Sequence, residues 1–172
     1  MIVVAPYVTF APGVTEALDA TNSPWQAAYV GGSDDAYWQL LSDRWSDGES
    51  FTIVEHDVIV RTDTLAELSG CPSAWCSFAI PYLYGEYAGM ACVKFSAELI
   101  ASCPDALGIV GLMSTAQHPR KHWCTLDSFL QATLQRTGTT RHLHEPALGH
   151  FRADGLPPMP THGCHRREEY AP

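Results

Sequence analysis

The decapeptide FTIVEHDVIV, Phe51 to Val60, decides how the rest of the chain is read. Phe51 to Val54 is a short apolar run with β-branched residues, the pattern of a buried strand. Val58, Ile59 and Val60 resume that pattern. Between the two runs stand three ionisable residues, Glu55, His56 and Asp57. Burying such groups without partners is expensive, so the triplet reads as a strand end that carries chemistry. Extended geometry would put Glu55 and Asp57 on one face and His56 on the other. Two carboxylates on one side can share a hard cation, Mg²⁺ or Mn²⁺, of the kind that bridges carboxylates to substrate phosphates. The competing reading is a solvated polar turn between two strands.

Working outward, Ile2 to Val4 reads as a first buried strand, closed by Pro6 and extended by YVTF. Val14 to Ala20 reads as helical and Trp25 to Val30 as a second strand, followed by the turn signal Gly31-Gly32. Ser33 is placed to cap a helix beginning at Asp34 and Asp35, whose charges suit a helix N-terminus. Asp47-Gly48 ends that helix. Thr62 is the expected cap of a helix over Asp63 to Leu68. WCSFAIPYLY is strand-like and broken by Pro81. Ser96 to Cys103 reads as a helix stopped by Pro104. Thr125 to Arg136 is the clearest helix, with Leu126, Phe129, Leu130 and Leu134 on one face and Gly138 as its stop. This alternation predicts an α/β fold: a single Rossmann-like domain over residues 1–152, with a mostly parallel sheet flanked by helices on both faces. Residues 153–172, rich in Pro and Gly, read as a tail. In such sheets ligands collect at the carboxyl ends of the strands.

Composition narrows the function. The 172 residues suffice for one domain, and 46% hydrophobic with 17% charged excludes a disordered acidic polymer. A net charge of -9 opposes broad binding to nucleic acid or anionic lipid. No basic-then-apolar leader opens the chain and no run of about 18 apolar residues occurs. The expectation is a protein without membrane partners that stays where it is made, in the cytoplasm. The six cysteines are then expected as reduced thiols. The four-residue gap in CPSAWC, Cys71 to Cys76, is wide for a zinc knuckle, and no second pair mirrors it.

Further constellations lie downstream. HLHEPALGHFR brings His142, His144 and His150 together with Glu145. On a strand, an H-x-H pair shares one face and could ligate a metal. Arg120, Lys121 and His122 form a cationic cluster that either holds a diphosphate by charge or is simply a solvated loop. Asp127, in the first turn of the predicted helix, is either an ordinary helix-start acid or a general base for an acceptor hydroxyl. Trp123 lies between them as a platform for a sugar ring. PYLYGEYAGMACVKF supplies Glu86, and its Gly89 would let backbone approach a ligand closely; a plain hairpin is the alternative.

The order of these parts resembles the nucleotide-sugar glycosyltransferases of the GT-A type. Those enzymes have a nucleotide-binding first strand, an acidic D-x-D-like triplet at a strand end, a later helix bearing an acid and, in some, a late histidine ligand. Here the first strand is IVVAPYVTF, with Pro6 and Tyr7, and the triplet is E-H-D. GMACVKFSAELI resembles the acceptor and donor-sugar region, TLDSFL the helix with the acid, and PALGHFR the late histidine segment. The resemblance implies Asp57 as a direct ligand of Mn²⁺ or Mg²⁺, with His150 as the second and His144 as its competitor. It implies Glu55 near ribose or a metal-bound water, and Lys121 and His122 on the diphosphate. Trp123, Glu86 and Gly89 would contact sugar or acceptor, and Asp127 would be the base. The implied reaction moves a sugar from a nucleoside-diphosphate donor, UDP foremost, to a hydroxyl acceptor. Small enzymes of this type resemble phage-encoded ones, some acting on hydroxymethylated bases in DNA. A metal-dependent phosphohydrolase or nucleotidyltransferase, and a non-catalytic ligand-binding module, are the alternative readings.

Overall fold

The apolar run 51–54 does become a strand buried on both faces, and a computed structural model shows what covers it. The structure describes residues 1–33, 35–82, 85–87, 89–117 and 123–151; for 81, 82, 85–87, 114–117 and 123–125 it describes the backbone. The strands are β1 (Ile2–Tyr7), β2 (Trp25–Tyr29), β3 (Phe51–Val54), β4 (Val58–Ile59), β5 (Trp75–Phe78), β6 (Ile80–Tyr82), β7 (Gly85–Tyr87), β8 (Cys92–Phe95), β9 (His142–His144) and β10 (Gly149–His150). The helices are α1 (Val14–Ala20), α2 (Ala36–Ser46), α3 (Thr64–Gly70), α4 (Ala97–Ser102), α5 (Ala106–Gln117) and α6 (Trp123–Arg136).

Six strands form the central sheet in the order β2-β1-β3-β8-β5-β9. β1 runs parallel to both β2 and β3, and β5 runs parallel to β9. β8 is antiparallel to β3 and to β5, so five strands point one way and β8 points back. The expected mostly parallel sheet with helices on both faces is therefore what forms. The β3–β1 ladder ends at the Val4–Ile53 pair, two residues before Pro6. Proline, which has no N–H to donate, thus lies beyond that ladder.

Alternation along the strands feeds two cores. Val4, Phe51, Ile53, Trp75, Val93 and Phe95 face one, which α2, α4, α5 and α6 complete with Leu41, Trp45, Leu99, Val110, Leu126 and Leu134. Val3, Ala5, Val54, Cys76, Phe78 and Cys92 face the other, where α1 and α3 contribute Val14, Leu18, Leu65 and Leu68. Two indoles pin α2 to the α4–α5 region: Trp45 Nε1 donates to Cys103 O and Trp38 Nε1 to Leu107 O, each at 2.9 Å.

Several boundaries differ from expectation for local reasons. α2 starts at Ala36 and not beside Ser33, whose hydroxyl instead donates to Asp35 Oδ1 at 2.7 Å. α3 starts at Thr64, whose Oγ1 accepts from the Arg61 amide at 2.9 Å. Helix α5 was not expected from the sequence. Its two glycines lower helix propensity, but a Cβ on Gly111 would lie 3.0 Å from the Trp38 ring, so the glycine is what lets α2 and α5 approach. Ser96 caps α4 by accepting from Leu99 N at 3.2 Å, and Gly138, with φ of 81°, follows α6 as its stop. β6 and β7 pair antiparallel, Ile80 opposite Tyr87 and Tyr82 opposite Gly85. The proposed tail, 153–172, lies outside the described residues. Among those described, no helix is long and apolar enough to cross a membrane.

Candidate functional site

Parallel strands deliver their last residues to one edge of the sheet, and the ionisable triplet lies there. Tyr7 ends β1, Tyr29 ends β2 and Glu55 follows β3. Because β8 runs backwards, its preceding segment Gly89–Ala91 arrives at the same edge; the Glu55 amide donates to Ala91 O at 2.8 Å.

The triplet is a turn and does not continue the strand. Val58 N donates to Glu55 O at 3.2 Å, so simple alternation of its side chains does not apply. The turn is also tied down: Ala11 N donates to His56 O and Phe151 N to Asp57 O, each at 2.8 Å. The second tie is part of the antiparallel pairing of β4 with β10, which sets His150 opposite Val58. That pairing brings together two side chains 93 residues apart: His150 Nε2 lies 3.1 Å from Asp57 Oδ2, with the His150 side chain 9% exposed and Asp57 23%. Asp57 Oδ1 is buried and has no hydrogen-bond partner among the described residues.

Electrostatics separate the two carboxylates. Around Glu55 burial is the largest effect, and with the negative charges of Asp57 and Asp127 it pushes the pKa up to about 8 against a single hydrogen bond that lowers it. That bond comes from Tyr37, whose hydroxyl donates to Glu55 Oε1 at 2.8 Å. Burial also holds the Tyr37 phenol well above its usual pKa, helped by the charge of Glu55. Asp57 goes the other way. Burial alone would raise it, but the hydrogen bond from His150 and the charges of His56 and His150 bring it below the ordinary carboxylate value. One carboxyl is thus held ionised and its neighbour is biased toward the protonated form.

Asp127, on α6, is close enough to raise both Glu55 and Tyr37. It lines a small hollow with Gly89, Gln131 and Arg141, floored by Trp75 and Met90. Beside the acidic cluster, Tyr7 stacks on Phe10 with ring centres 4.6 Å apart and meets Tyr29 edge-on at 5.6 Å; Tyr29 is 61% exposed. Pro6 sits within β1, paired with Ala28.

The structure therefore gathers Glu55, Asp57 and His150, with Asp127 nearby. His144 does not join them. It ends β9, three strand spacings or about 14 Å from β3, and its neighbours include Phe78, His142 and Glu67. The two imidazoles of His142 and His144 do share a face, with centres 4.7 Å apart. Lys121 and His122 lie outside the described residues, as does Arg120. Trp123 opens α6 and Glu86 lies in β7, both described by backbone. The sequence reading passed over Tyr37. Its signal was present: with Leu41 and Trp45 it forms the buried stripe of α2, and a buried phenol needs a polar partner.

The Asp57–His150 pair fits a divalent cation. Ligand atoms adjacent on an octahedral ion of this class, with bonds near 2.1 Å, lie about 3 Å apart, so the 3.1 Å hydrogen-bonded pair could accept one once Nε2 gives up its proton. The unpartnered Oδ1 adds a further oxygen.

No protein-family model and no curated protein matches the sequence. The fold is similar to the crystal structure of a glycosyltransferase involved in the glycosylation of the major capsid of PBCV-1, with a TM-score of 0.52 and 12% sequence identity. The similarity covers 98% of this chain and 96% of that one. At this identity the likeness is one of fold.

Proposed function

We propose that the protein is a divalent-metal-dependent glycosyltransferase of the GT-A type, using a nucleoside-diphosphate sugar, UDP foremost, and a hydroxyl acceptor. The observation that carries this reading is the Asp57–His150 pair at a strand's carboxyl end, built from residues 93 apart at metal-ligand spacing. A fold likeness to a glycosyltransferase over nearly the whole of both chains supports it.

Asp57 and His150 would hold Mn²⁺ or Mg²⁺. Bound there, the cation supplies positive charge against the departing diphosphate. Tyr7 and Tyr29 offer aromatic faces at the ends of β1 and β2 for a nucleobase. Glu55, held by Tyr37, is assigned to the ribose or a metal-bound water, and Lys121 and His122 to the diphosphate. Asp127, beside Gly89, is assigned to take the acceptor proton, with Trp123 and Glu86 on the sugar and acceptor. A hydroxymethylated base in phage DNA is one acceptor to try, though the net charge of -9 favours a less anionic one.

The test is a thermal-shift series with UDP, GDP, CDP and dTDP, each with and without Mn²⁺. A specific ligand at a hundred times its dissociation constant stabilises by about 2.7 kcal/mol. The shift should require the metal and vanish in Asp57→Ala while far-ultraviolet circular dichroism stays native. Product analysis on a UDP-sugar and on a nucleoside triphosphate separates sugar transfer from phosphate or pyrophosphate release. Absence of a metal-linked shift with all four nucleotides would reject the proposal.

A further inference from the structure

A second cluster of ligand-type side chains lies away from the acidic site, under the β5–β9 edge of the sheet. Cys71 follows α3, Cys76 belongs to β5 and His144 ends β9. One ligand atom from each falls within 4.8 Å of the others. The parallel β5–β9 pairing sets His142 opposite Cys76 and His144 opposite Phe78. His144 is thus two residues along from Cys76 on the same face. Both thiols are buried, Cys76 completely, and the His144 side chain is 13% exposed.

We propose that Cys71, Cys76 and His144 form a site for a thiophilic divalent ion of the Zn²⁺ class, independent of the Asp57–His150 pair. Two sulfurs and an imidazole nitrogen suit zinc, and sulfurs bound at about 2.3 Å to a tetrahedral ion lie about 3.8 Å apart. Small rotations of side chains already within 4.8 Å reach that spacing.

Three neighbours support the choice. His144 Nδ1 lies 3.8 Å from Glu67 Oε2, while Nε2 is buried with no hydrogen-bond partner among the described residues. The usual setting of a metal-bound histidine is a carboxylate hydrogen-bonded to one nitrogen with the other left as a lone pair; at 3.8 Å the Glu67 carboxylate faces Nδ1 and needs a shift of a few tenths of an ångström to make that bond. Glu67 is itself held by Arg61 at 2.9 Å, a guanidinium it shares with Asp63 at 3.2 Å. Lys94, 6% exposed, donates to Cys71 O at 2.5 Å and has no ion pair among the described residues; its charge favours thiolates beside it. On binding, each thiol gives up one proton to solvent, and two thiolates with one divalent cation sum to a neutral site, which suits burial. The fourth position is left to water or a small ligand. Mechanically, the ion would tie the α3–β5 connection to the edge strand β9.

The full chain, purified with reductant and stripped of metal by a chelator, is titrated with Co²⁺ and then with Zn²⁺. The proposal expects Co²⁺ to bind with proton release and to give a sulfur-to-cobalt charge-transfer band and tetrahedral ligand-field bands at a single equivalent, and Zn²⁺ then to displace it without further proton release. Each of Cys71→Ser and Cys76→Ser should weaken the sulfur band, the double variant should abolish it, and Glu67→Gln should weaken Zn²⁺ binding by roughly 10–100-fold. Co²⁺ held at Asp57 and His150 would give no sulfur band and would survive Cys76→Ser, so the two sites are told apart. The inference is overturned if the folded wild-type chain gives no sulfur band. It is equally overturned if the band keeps its full intensity in both single variants or persists in the double variant, or if Cys71 and Cys76 prove to be a disulfide whose reduction confers no metal binding.

Discussion

Replacing Glu55 by Gln tests the electrostatics of the site without removing its shape. In the folded chain the Glu55 pKa stands at about 8, against an ordinary 4.5 that applies once the chain unfolds. Below pH 4.5 both states hold the proton and folding is not penalised. Between 4.5 and 8 the unfolded chain releases the proton and the folded chain keeps it, so stability falls as pH rises, by about 1.4 kcal/mol per pH unit. Above 8 both are ionised and the loss levels off. Glu55 retains some solvent contact, so the total is at most about 5 kcal/mol. Glutamine cannot ionise and can still accept from Tyr37. In chelator-containing buffer, urea unfolding of both chains from pH 5 to 9 should therefore diverge: Glu55→Gln becomes the more stable, with a gap that widens up to pH 8 and then holds. Parallel stability profiles would show that Glu55 titrates normally and would refute the reasoning.

Tyr37→Phe removes the one hydrogen bond that lowers the Glu55 pKa, so it should move the break in that profile to higher pH and cost about 1 kcal/mol. The same urea series measures both. Asp127→Asn should lower turnover by about 10²–10⁴-fold while leaving the nucleotide thermal shift unchanged; loss of the shift would make Asp127 part of donor binding instead. The glycines of α5 should part company. Nothing lies within 4 Å of a Cβ added at Gly108, whereas one at Gly111 meets Trp38 at 3.0 Å. Gly108→Ala should stabilise by about 0.5–1 kcal/mol, and Gly111→Ala should destabilise by about 1 kcal/mol once overpacking outweighs that gain. Equal melting shifts would contradict the α2–α5 packing.

What could be read from the sequence follows how local each cause is. The strand 51–54 and the α6 stripe declare themselves because burial on a fixed period needs no partner information. The triplet declares itself because ionisable groups between apolar runs demand an explanation. Helix α5 was hidden: its composition is apolar nearly all round and holds two glycines, so neither period nor propensity marks it. The reversed direction of β8 was hidden too, since CVKF buries all four residues and would look the same in a parallel strand. The Asp57–His150 contact rests on two strands of two residues each, too short to carry any pattern; only the resemblance singled out His150. The cysteine–histidine cluster shows the same limit, because CPSAWC was judged on Cys spacing alone while the third ligand comes from β9.

One electrostatic problem links these parts. Glu55, Asp57 and Asp127 bring three carboxylates to one strand edge, and close negative charges cannot all ionise at ordinary cost. In the described structure the fold relieves the repulsion in two ways. Asp57 receives His150, delivered by β10 and fixed by the Phe151–Asp57 backbone bond. Glu55 receives the Tyr37 hydroxyl and is biased toward the protonated form. A divalent ion held at Asp57, as proposed, would relieve it in a third way, at the edge where parallel strands place their ligands.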